Sequence, residues 1–413
     1  VNCSNLPASK SRFVQWNHGM KKLTIDLSKE WGGVNVILSP RDIYPEQLKI
    51  WSNDFAKANV SCLFDPQCYF PKCNHKNLIK YEYWLDNLDE ILGSNDSSVV
   101  DLIKKLEYYN SIISAEKFII PGIMRKFDSE WFSLWKRDCL KLSEATRKVV
   151  KNRKAILTVA IPWEILCQGE DNIEEIIELT NNFDVNGYYV AAEPYNNQYL
   201  VDHPVWMSNL LQLCAGLKLQ NREVIVSNAN HQLLCLSAAK VNALASGTYQ
   251  NVRMFSRNKY ESSREDDIRQ RNVWYYYPQA LSEYTIPFLD AAFHSNIIEE
   301  LKPTNEFLNP YIELLFSGVQ PSSTEFNETL AFKHYLHSLR QQVKLCTRST
   351  FHETINANEV LLQTAERRIE FLESKGIYAQ SRSFRDIVDV NRSALQRLQA
   401  TRQFLLQFSW DEI

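Results

Sequence analysis

Short apolar runs rich in β-branched residues recur along the chain, and polar residues or proline close each one. Runs of this length are typical of strands that are buried in a sheet. Eight of them predict strands, at Val34–Leu38, Val60–Phe64, Lys117–Ile120, Ala155–Ile161, Val185–Ala191, Glu223–Val226, Ala243–Ala245 and Val273–Tyr277.

Amphipathic segments lie between these runs and predict helices at Pro45–Ala58, Ser97–Ser114, Asp128–Val150, Ile173–Asn181, Val205–Leu219, Gln232–Lys240 and Ile286–Leu301. Strands that alternate with helices indicate right-handed βαβ units and a parallel sheet. Eight units match an α/β fold of the (β/α)8 TIM-barrel type. The competing architecture, a doubly wound open sheet, usually carries a G-x-G-x-x-G turn, which this sequence lacks.

The pattern changes after Pro303, where three long segments at Glu328–Leu345, Phe351–Ser374 and Ser383–Phe408 have apolar residues at helical spacing. We therefore predict a barrel over residues 1–303, with a long insertion at about 68–96 after the second strand, and a helical segment over 304–413 packed on the barrel. The apolar stretch Tyr311–Phe316 is expected to be buried. The charge-dense connection Met254–Asn272 is expected to be a solvated loop or a short helix.

Composition narrows the class of protein. A hydrophobic fraction of 45% with only 11 Gly and 14 Pro excludes a disordered or fibrous chain. The net charge of -3 means that the chain has no overall excess of basic residues for binding nucleic acid. It does not exclude a local basic cleft. The sequence has nine scattered cysteines, from Cys3 to Cys346, and several of them lie in apolar runs. This pattern favours buried thiols and a cytoplasmic location. No apolar run is long enough for a membrane span.

Carboxylates follow three of the predicted strands. In TIM barrels the active site lies at the carboxyl ends of the strands, so Asp65, Glu164 and Glu193 are candidates for general acid, general base or nucleophile. Each one could instead cap the following helix or pair with an arginine. His231 is the candidate for proton transfer, with a hydrogen bond to a loop as the alternative.

A turn of small residues follows the seventh predicted strand. Ser246, Gly247 and Thr248, with Arg253, have the hydroxyls and charge that a phosphate needs, although the glycine alone could serve a tight turn. Other polar side chains at strand ends are candidates for substrate binding, namely Arg41, Gln67, Asn228 and Asn230. For Arg41, a structural ion pair with Asp42 is the alternative.

Cys68, Cys73 and His75 have C-x4-C-x-H spacing, but a zinc site needs a fourth ligand that the local sequence lacks. We therefore predict no metal and no cofactor. The aromatic run Trp274–Tyr277 is explained mostly by core packing.

Two short segments, Ala245–Gln250 and Phe64–Gln67, resemble the tRNA-guanine transglycosylase superfamily when placed on the predicted strands. That family uses carboxylates at the rim of a barrel to exchange a base at a glycosidic carbon. The resemblance implies a nucleotide or nucleic-acid substrate. The chain lacks the clustered cysteines and histidine of the family's zinc site near the C-terminus, and the order of its motifs differs.

Two functional hypotheses follow. The first is an enzyme, a transferase or hydrolase, that acts at a glycosidic or phosphate-bearing sugar centre of a nucleotide or nucleic acid, by base exchange or hydrolysis. The second is a non-catalytic barrel that belongs to a larger protein assembly and docks through its C-terminal helices.

Overall fold

The computed structural model describes residues 13–15, 20–73, 75–94, 96–260 and 272–413. Cys3 and positions 261–271 of the predicted charge-dense connection lie outside the described residues.

The fold is α/β and is built around a parallel sheet. Its strands are β1 (Phe13–Gln15), β2 (Val34–Leu38), β3 (Val60–Phe64), β4 (Lys117–Ile120), β5 (Lys154–Ile161), β6 (Gly187–Ala192), β7 (Glu223–Val226) and β8 (Ala243–Ser246). In the described residues the strand order is β3-β2-β1-β8-β7-β6-β5-β4, and all seven neighbouring pairs are parallel. The carboxyl ends of the strands therefore share one edge of the sheet.

Helices connect the strands and cover the sheet. They are α1 (Met20–Trp31), α2 (Pro45–Lys57), α3 (Leu88–Ser94), α4 (Asp96–Ile112), α5 (Trp131–Val149), α6 (Trp163–Leu166), α7 (Asp171–Thr180), α8 (Pro204–Leu219), α9 (Gln250–Arg253), α10 (Ile286–His294), α11 (Glu328–Cys346), α12 (Phe351–Ser374) and α13 (Ile387–Ser409). Local sequence sets several of their starts: Pro45 opens α2, and Thr350 with Glu353 forms a capping box at the start of α12. The helix predicted at Gln232–Lys240 is a 3-10 helix at His231–Ala239.

The eighth predicted strand, Val273–Tyr277, is wrong as a member of the parallel sheet. Its residues form β9 (Trp274–Tyr277), which pairs antiparallel with β10 (Ser282–Thr285) in a separate hairpin. A four-residue turn is long enough only for an antiparallel partner, because a parallel strand needs a long crossover. The strand missing from the prediction is β1, which pairs with both β2 and β8.

The C-terminal helices pack on the α/β part of the chain. Helix α13 lies along α8, where Arg402 Nε donates to Gln212 Oε1 at 2.7 Å. One continuous buried cluster contains Leu211 of α8 and Leu398 of α13. Within the predicted buried stretch, Tyr311, Ile312 and Leu315 are buried, whereas Leu314 is 38% exposed.

Candidate functional site

A large cavity lies at the carboxyl edge of the strands, with a volume of about 1370 Å³. Helix α1 and the segments that follow β2, β3, β6 and β8 supply part of its wall. The β9–β10 hairpin adds Trp274 and Glu283, and the C-terminal segment adds Phe332 and Arg382. The cavity is therefore shared between the α/β part and the C-terminal helices.

The wall of this cavity is basic and aromatic. Among the described residues it carries seven Lys or Arg side chains, Lys21, Lys22, Arg41, Lys76, Arg253, Lys259 and Arg382, against three carboxylates, Asp42, Glu283 and Glu328. Five aromatic rings stand among them, those of Tyr44, Trp51, Tyr249, Trp274 and Phe332. The net charge of the chain is -3, yet positive charge is concentrated in this wall. The wall therefore forms the kind of local basic cleft that the composition did not exclude.

Arg41 lies in the loop after β2 and lines the cavity. Its Nη2 atom is 3.9 Å from Asp42 Oδ1, so the alternative ion pair is present at long distance. Its Nε and Nη1 atoms are buried and have no hydrogen-bond partner in the described part of the chain. Most of the hydrogen-bonding capacity of this guanidinium is therefore unused by the protein.

Gln67 fastens two loops to each other and is absent from the cavity wall. Its side-chain Nε2 donates to Ser39 Oγ at 2.8 Å, and its Oε1 accepts from the backbone N–H of Arg41 at 3.1 Å. Its φ of 54° is in the left-handed region. We interpret Gln67 as a residue that positions Arg41.

Asp65 is buried at the carboxyl end of β3. Its carboxylate accepts from the hydroxyls of Tyr69 and Tyr189 and from the backbone N–H of Gln67. Burial raises the pKa of Asp65 to about 6, and the Gln67 N–H and Lys259 act in the opposite direction. A carboxyl that titrates there can exchange a proton near neutral pH.

Lys259 is the charged neighbour that connects Asp65 to the cavity. Its side chain lines the cavity and is only 8% exposed as a residue. Burial and the nearby Arg41 lower the pKa of Lys259 to about 8, against the effect of Asp42 and Asp65. Sequence analysis missed this residue because it lies in the charge-dense connection that was expected to be solvated.

Glu164 and Glu193 form a second acidic group outside the cavity wall. Burial raises the pKa of Glu193, Arg257 lowers it, and Glu164 raises it again. Arg257 Nε lies 3.9 Å from Glu193 Oε1. The two carboxyls therefore interact with each other, but neither is part of the described wall of the cavity that Arg253 lines.

Arg253, predicted to bind phosphate, has its guanidinium engaged by protein groups. Its Nε donates to the carbonyl of Gly247 at 3.0 Å, and its Nη1 lies 3.2 Å from Glu283 Oε2. Glu283 also accepts from Arg382 Nη1 at 2.7 Å and from the Tyr199 hydroxyl at 2.9 Å. Burial would raise the pKa of Glu283, but Arg382 and Arg253 outweigh it and lower the pKa to about 2.

His231 is fully buried among the rings of Tyr276, Phe384 and Tyr199. Burial lowers its pKa to about 3, so the imidazole is neutral at pH 7. This environment fits a structural histidine better than a proton carrier.

The remaining predicted binding residues divide between loop contacts and the cavity. Asn228 Nδ2 donates to the carbonyl of Val252, and Asn230 Nδ2 donates to that of Tyr199. Ser246 and Gly247 are buried outside this cavity wall. Thr248 lines the cavity, and its buried Oγ1 has no hydrogen-bond partner within the described ranges.

The cysteine and histidine spacing in the insertion does not produce a recognisable metal centre. No group of three or more His, Cys, Asp or Glu side chains in the described residues is arranged to hold a metal ion. Burial raises the pKa of the Cys68 thiol, and burial lowers the pKa of His75 to about 4.

Comparison with known proteins adds no family: no family model and no curated protein matches this chain. The resemblance to the tRNA-guanine transglycosylase superfamily therefore stays a prediction. In the described part of the chain, no helix combines the length and the apolar character that crossing a membrane requires.

Proposed function

We propose that this chain is an enzyme that binds a nucleotide or nucleic acid in the basic cavity and acts at its sugar centre, by base exchange or by hydrolysis. The observation that carries the proposal is the cavity wall, which contains seven cationic side chains and five aromatic rings among the described residues. Lysine and arginine neutralise phosphates, and aromatic rings stack on bases with little regard to sequence. The volume of about 1370 Å³ is larger than that of most small-molecule pockets, which favours more than one nucleotide unit.

The proposal includes closure of the sheet into a barrel. Strands β3 and β4, at opposite ends of the strand order, contact each other. A single buried cluster takes residues from seven strands, namely Ile37, Leu63, Ile119, Ile156, Tyr189, Ile225, Ala243 and Ala245. An open sheet keeps its edge strands far apart, so a shared cluster supports closure. Closure would place the cavity at the end of the barrel where such enzymes carry their sites.

Asp65 is the proposed acid or base. It is the candidate carboxyl that interacts with a lysine of the cavity wall, Lys259, and burial keeps its pKa near 6. Asp65 lies behind the cavity wall, as Glu164 and Glu193 do. Glu164 and Glu193 are assigned a lesser role because the basic residue beside Glu193, Arg257, is not part of that wall.

Binding can be tested with a fluorescein-labelled single-stranded oligonucleotide, followed by anisotropy over a range of salt concentrations. Lys22 and Lys29 give a matched pair, since both are exposed on α1 and only Lys22 lines the cavity. We expect Lys22→Gln to weaken binding and to reduce the salt slope by about one ion, with Lys29→Gln unchanged. Absence of binding by wild type, or equal effects of the two variants, would overturn the proposal.

Catalysis is tested separately by incubating the protein with nucleotides, oligonucleotides and glycosides and measuring base or sugar release. Asp65→Asn keeps the shape of the side chain and removes the ionisable group. We expect turnover to fall by at least about a hundredfold. Full turnover in this variant would remove Asp65 from the mechanism.

A second candidate function, a component of a protein assembly, is favoured by one surface of α13. Phe404 and Phe408 are 80% and 82% exposed, and Leu405 is 50% exposed. Exposed apolar side chains that group into one patch are typical of surfaces that contact another protein. Size-exclusion chromatography with light scattering on wild type and on Phe404→Ser/Phe408→Ser tests it. A monomer in both cases, with no difference in partners captured from the native host, would count against it.

A further inference from the structure

We infer that Arg41, Asp42, Asn77 and Lys259 form a subsite for a phosphorylated sugar in the wall of the basic cavity. The inference rests on the proposed function and deepens it, because it states which part of the substrate these four residues hold. All four side chains line the cavity.

Three segments of the chain bring these residues together. Arg41 and Asp42 come from the loop after β2, Asn77 from the insertion after β3, and Lys259 from the connection after β8. Asn77 Nδ2 donates to the carbonyl of Arg41 at 2.6 Å, which fixes the insertion to the β2 loop. The Gln67 side chain holds the same loop from the other side. The geometry of the group is therefore set by the protein before any ligand arrives.

The group contains both unused donors and unused acceptors. In the described residues, the Nε and Nη1 atoms of Arg41 have no hydrogen-bond partner, and neither have Asp42 Oδ2 and Asn77 Oδ1. All four atoms are buried. Buried polar atoms almost always have partners, because leaving one without any is costly. The arrangement calls for a ligand that both accepts and donates hydrogen bonds.

Lys259 adds a charge requirement. Its residue is 8% exposed, and no carboxylate oxygen of the described residues lies within ion-pair distance of its Nζ atom. Together with the half-buried Arg41 it presents two cations in the cavity wall, which a phosphate group would pair with. Thr248 Oγ1, a further buried hydroxyl of this cavity, can donate to a phosphate oxygen as well.

The acceptors decide between a bare phosphate and a phosphorylated sugar. Inorganic phosphate would satisfy the donors but would be repelled by the Asp42 carboxylate. A neutral sugar would donate hydroxyl protons to Asp42 and Asn77 but would leave the two cations unpaired. A phosphorylated sugar does both, because its hydroxyls face the acceptors while its phosphate faces Arg41 and Lys259.

Calorimetric titration of the full chain with three probes tests the inference: ribose 5-phosphate, ribose and inorganic phosphate. We expect ribose 5-phosphate to bind at least about tenfold more tightly than either of the other two, since even one hydrogen bond to a charged group is worth at least about that factor. Equal affinity for inorganic phosphate and ribose 5-phosphate would overturn the inference.

Two substitutions separate the roles of the donors and the acceptors. Arg41→Gln should weaken both phosphate and ribose 5-phosphate by about tenfold, and Arg41→Lys should lie between wild type and Arg41→Gln. Asp42→Ala should weaken ribose 5-phosphate yet strengthen inorganic phosphate, because it removes the repulsion and also removes both oxygens that accept from the sugar hydroxyls. If Asp42→Ala strengthens both ligands, the site is a simple electrostatic one and the inference is wrong.

Controls keep this result distinct from the proposed function. Arg368→Gln, at an exposed ion pair with Glu300 outside the cavity wall, should leave all three affinities unchanged. Circular dichroism and the thermal midpoint show which variants are folded. If the oligonucleotide binds with the Lys22 dependence described above but ribose 5-phosphate does not bind, the subsite is refuted while the proposed function stands. If neither ligand binds, both fail.

Discussion

Glu283 is the buried charge whose removal has the clearest predicted consequence. Its carboxylate is 2% exposed and accepts from three side chains, those of Tyr199, Arg253 and Arg382. The substitution Glu283→Gln keeps the volume and removes the charge. It leaves Arg253, itself 3% exposed, as a buried cation without its anion.

Two separate arguments give a similar loss of unfolding free energy for Glu283→Gln. Removing one partner of a buried ion pair costs about 3 to 5 kcal/mol. Independently, the pKa of Glu283 is lowered from 4.5 to about 2, which corresponds to about 3 kcal/mol of preference for the charged carboxylate. Because the pKa is lower in the folded state, this contribution is present above about pH 4.5 and is lost as the pH falls toward 2.

Urea unfolding followed by tryptophan fluorescence measures the effect. We expect Glu283→Gln to lose about 3 kcal/mol at pH 7, with a smaller difference from wild type at pH 3. The control is Glu300→Gln, which breaks the exposed pair with Arg368 and should cost less than about 0.5 kcal/mol. A loss below about 1 kcal/mol for Glu283→Gln, or a difference that does not shrink in acid, would refute the reasoning.

Three further predictions concern stability. Asp65→Asn should gain stability relative to wild type as the pH rises from about 4 to above 6. Burial raises the pKa of Asp65 to about 6, so ionising this carboxyl in the folded state is costly. A difference in unfolding free energy that does not change with pH would contradict this. Leu398→Ala should cost about 2 to 5 kcal/mol of unfolding free energy, because the Leu398 side chain of α13 is fully buried. Phe404→Ala, on the exposed part of the same helix, should change the denaturation midpoint little. Equal effects of the two substitutions would argue against docking of α13. Gly216→Ala should cost about 1 to 3 kcal/mol of unfolding free energy, because its Cβ would lie 2.3 Å from Ile177 Cδ1. Gly169→Ala, with open space around its Cβ, should be nearly neutral in the same unfolding assay. A neutral Gly216→Ala would show that Ile177 moves aside freely.

Some strands that are buried on both faces were predictable from the sequence to the residue, whereas the bounds of β5 and β6 differ from the predicted ones by one or two residues. The runs Val34–Leu38 and Val60–Phe64 match β2 and β3, because continuous apolar runs bounded by polar residues have one stable environment in this kind of sheet. Strand β1 has only three residues, which are too few for a pattern of apolar residues to predict a strand. The run at Trp274–Tyr277 is equally apolar but is buried in a hairpin, and only the short turn to β10 separates the two outcomes.

The candidate site was predictable only where it is local to strand ends. Arg41, Thr248 and Arg253 follow strands and line the cavity, as proximity to the carboxyl edge predicts. Lys259 and Arg382 reach the cavity through tertiary folding of a charged connection and of the C-terminal segment. Charge and period alone do not tell whether such residues stay in solvent or turn inward.

The shared wall of the cavity also orders events during synthesis. Arg41 leaves the ribosome before Arg382, which also lines the cavity, compensates Glu283 and follows Arg41 by about 340 residues. At about 5 to 20 residues per second, the interval is on the order of tens of seconds. In the part of that interval after Glu283 has been made, Glu283 lacks one of its two arginine partners and the wall of the basic cavity lacks Arg382. A nascent chain can therefore hold a formed sheet well before it can hold a ligand.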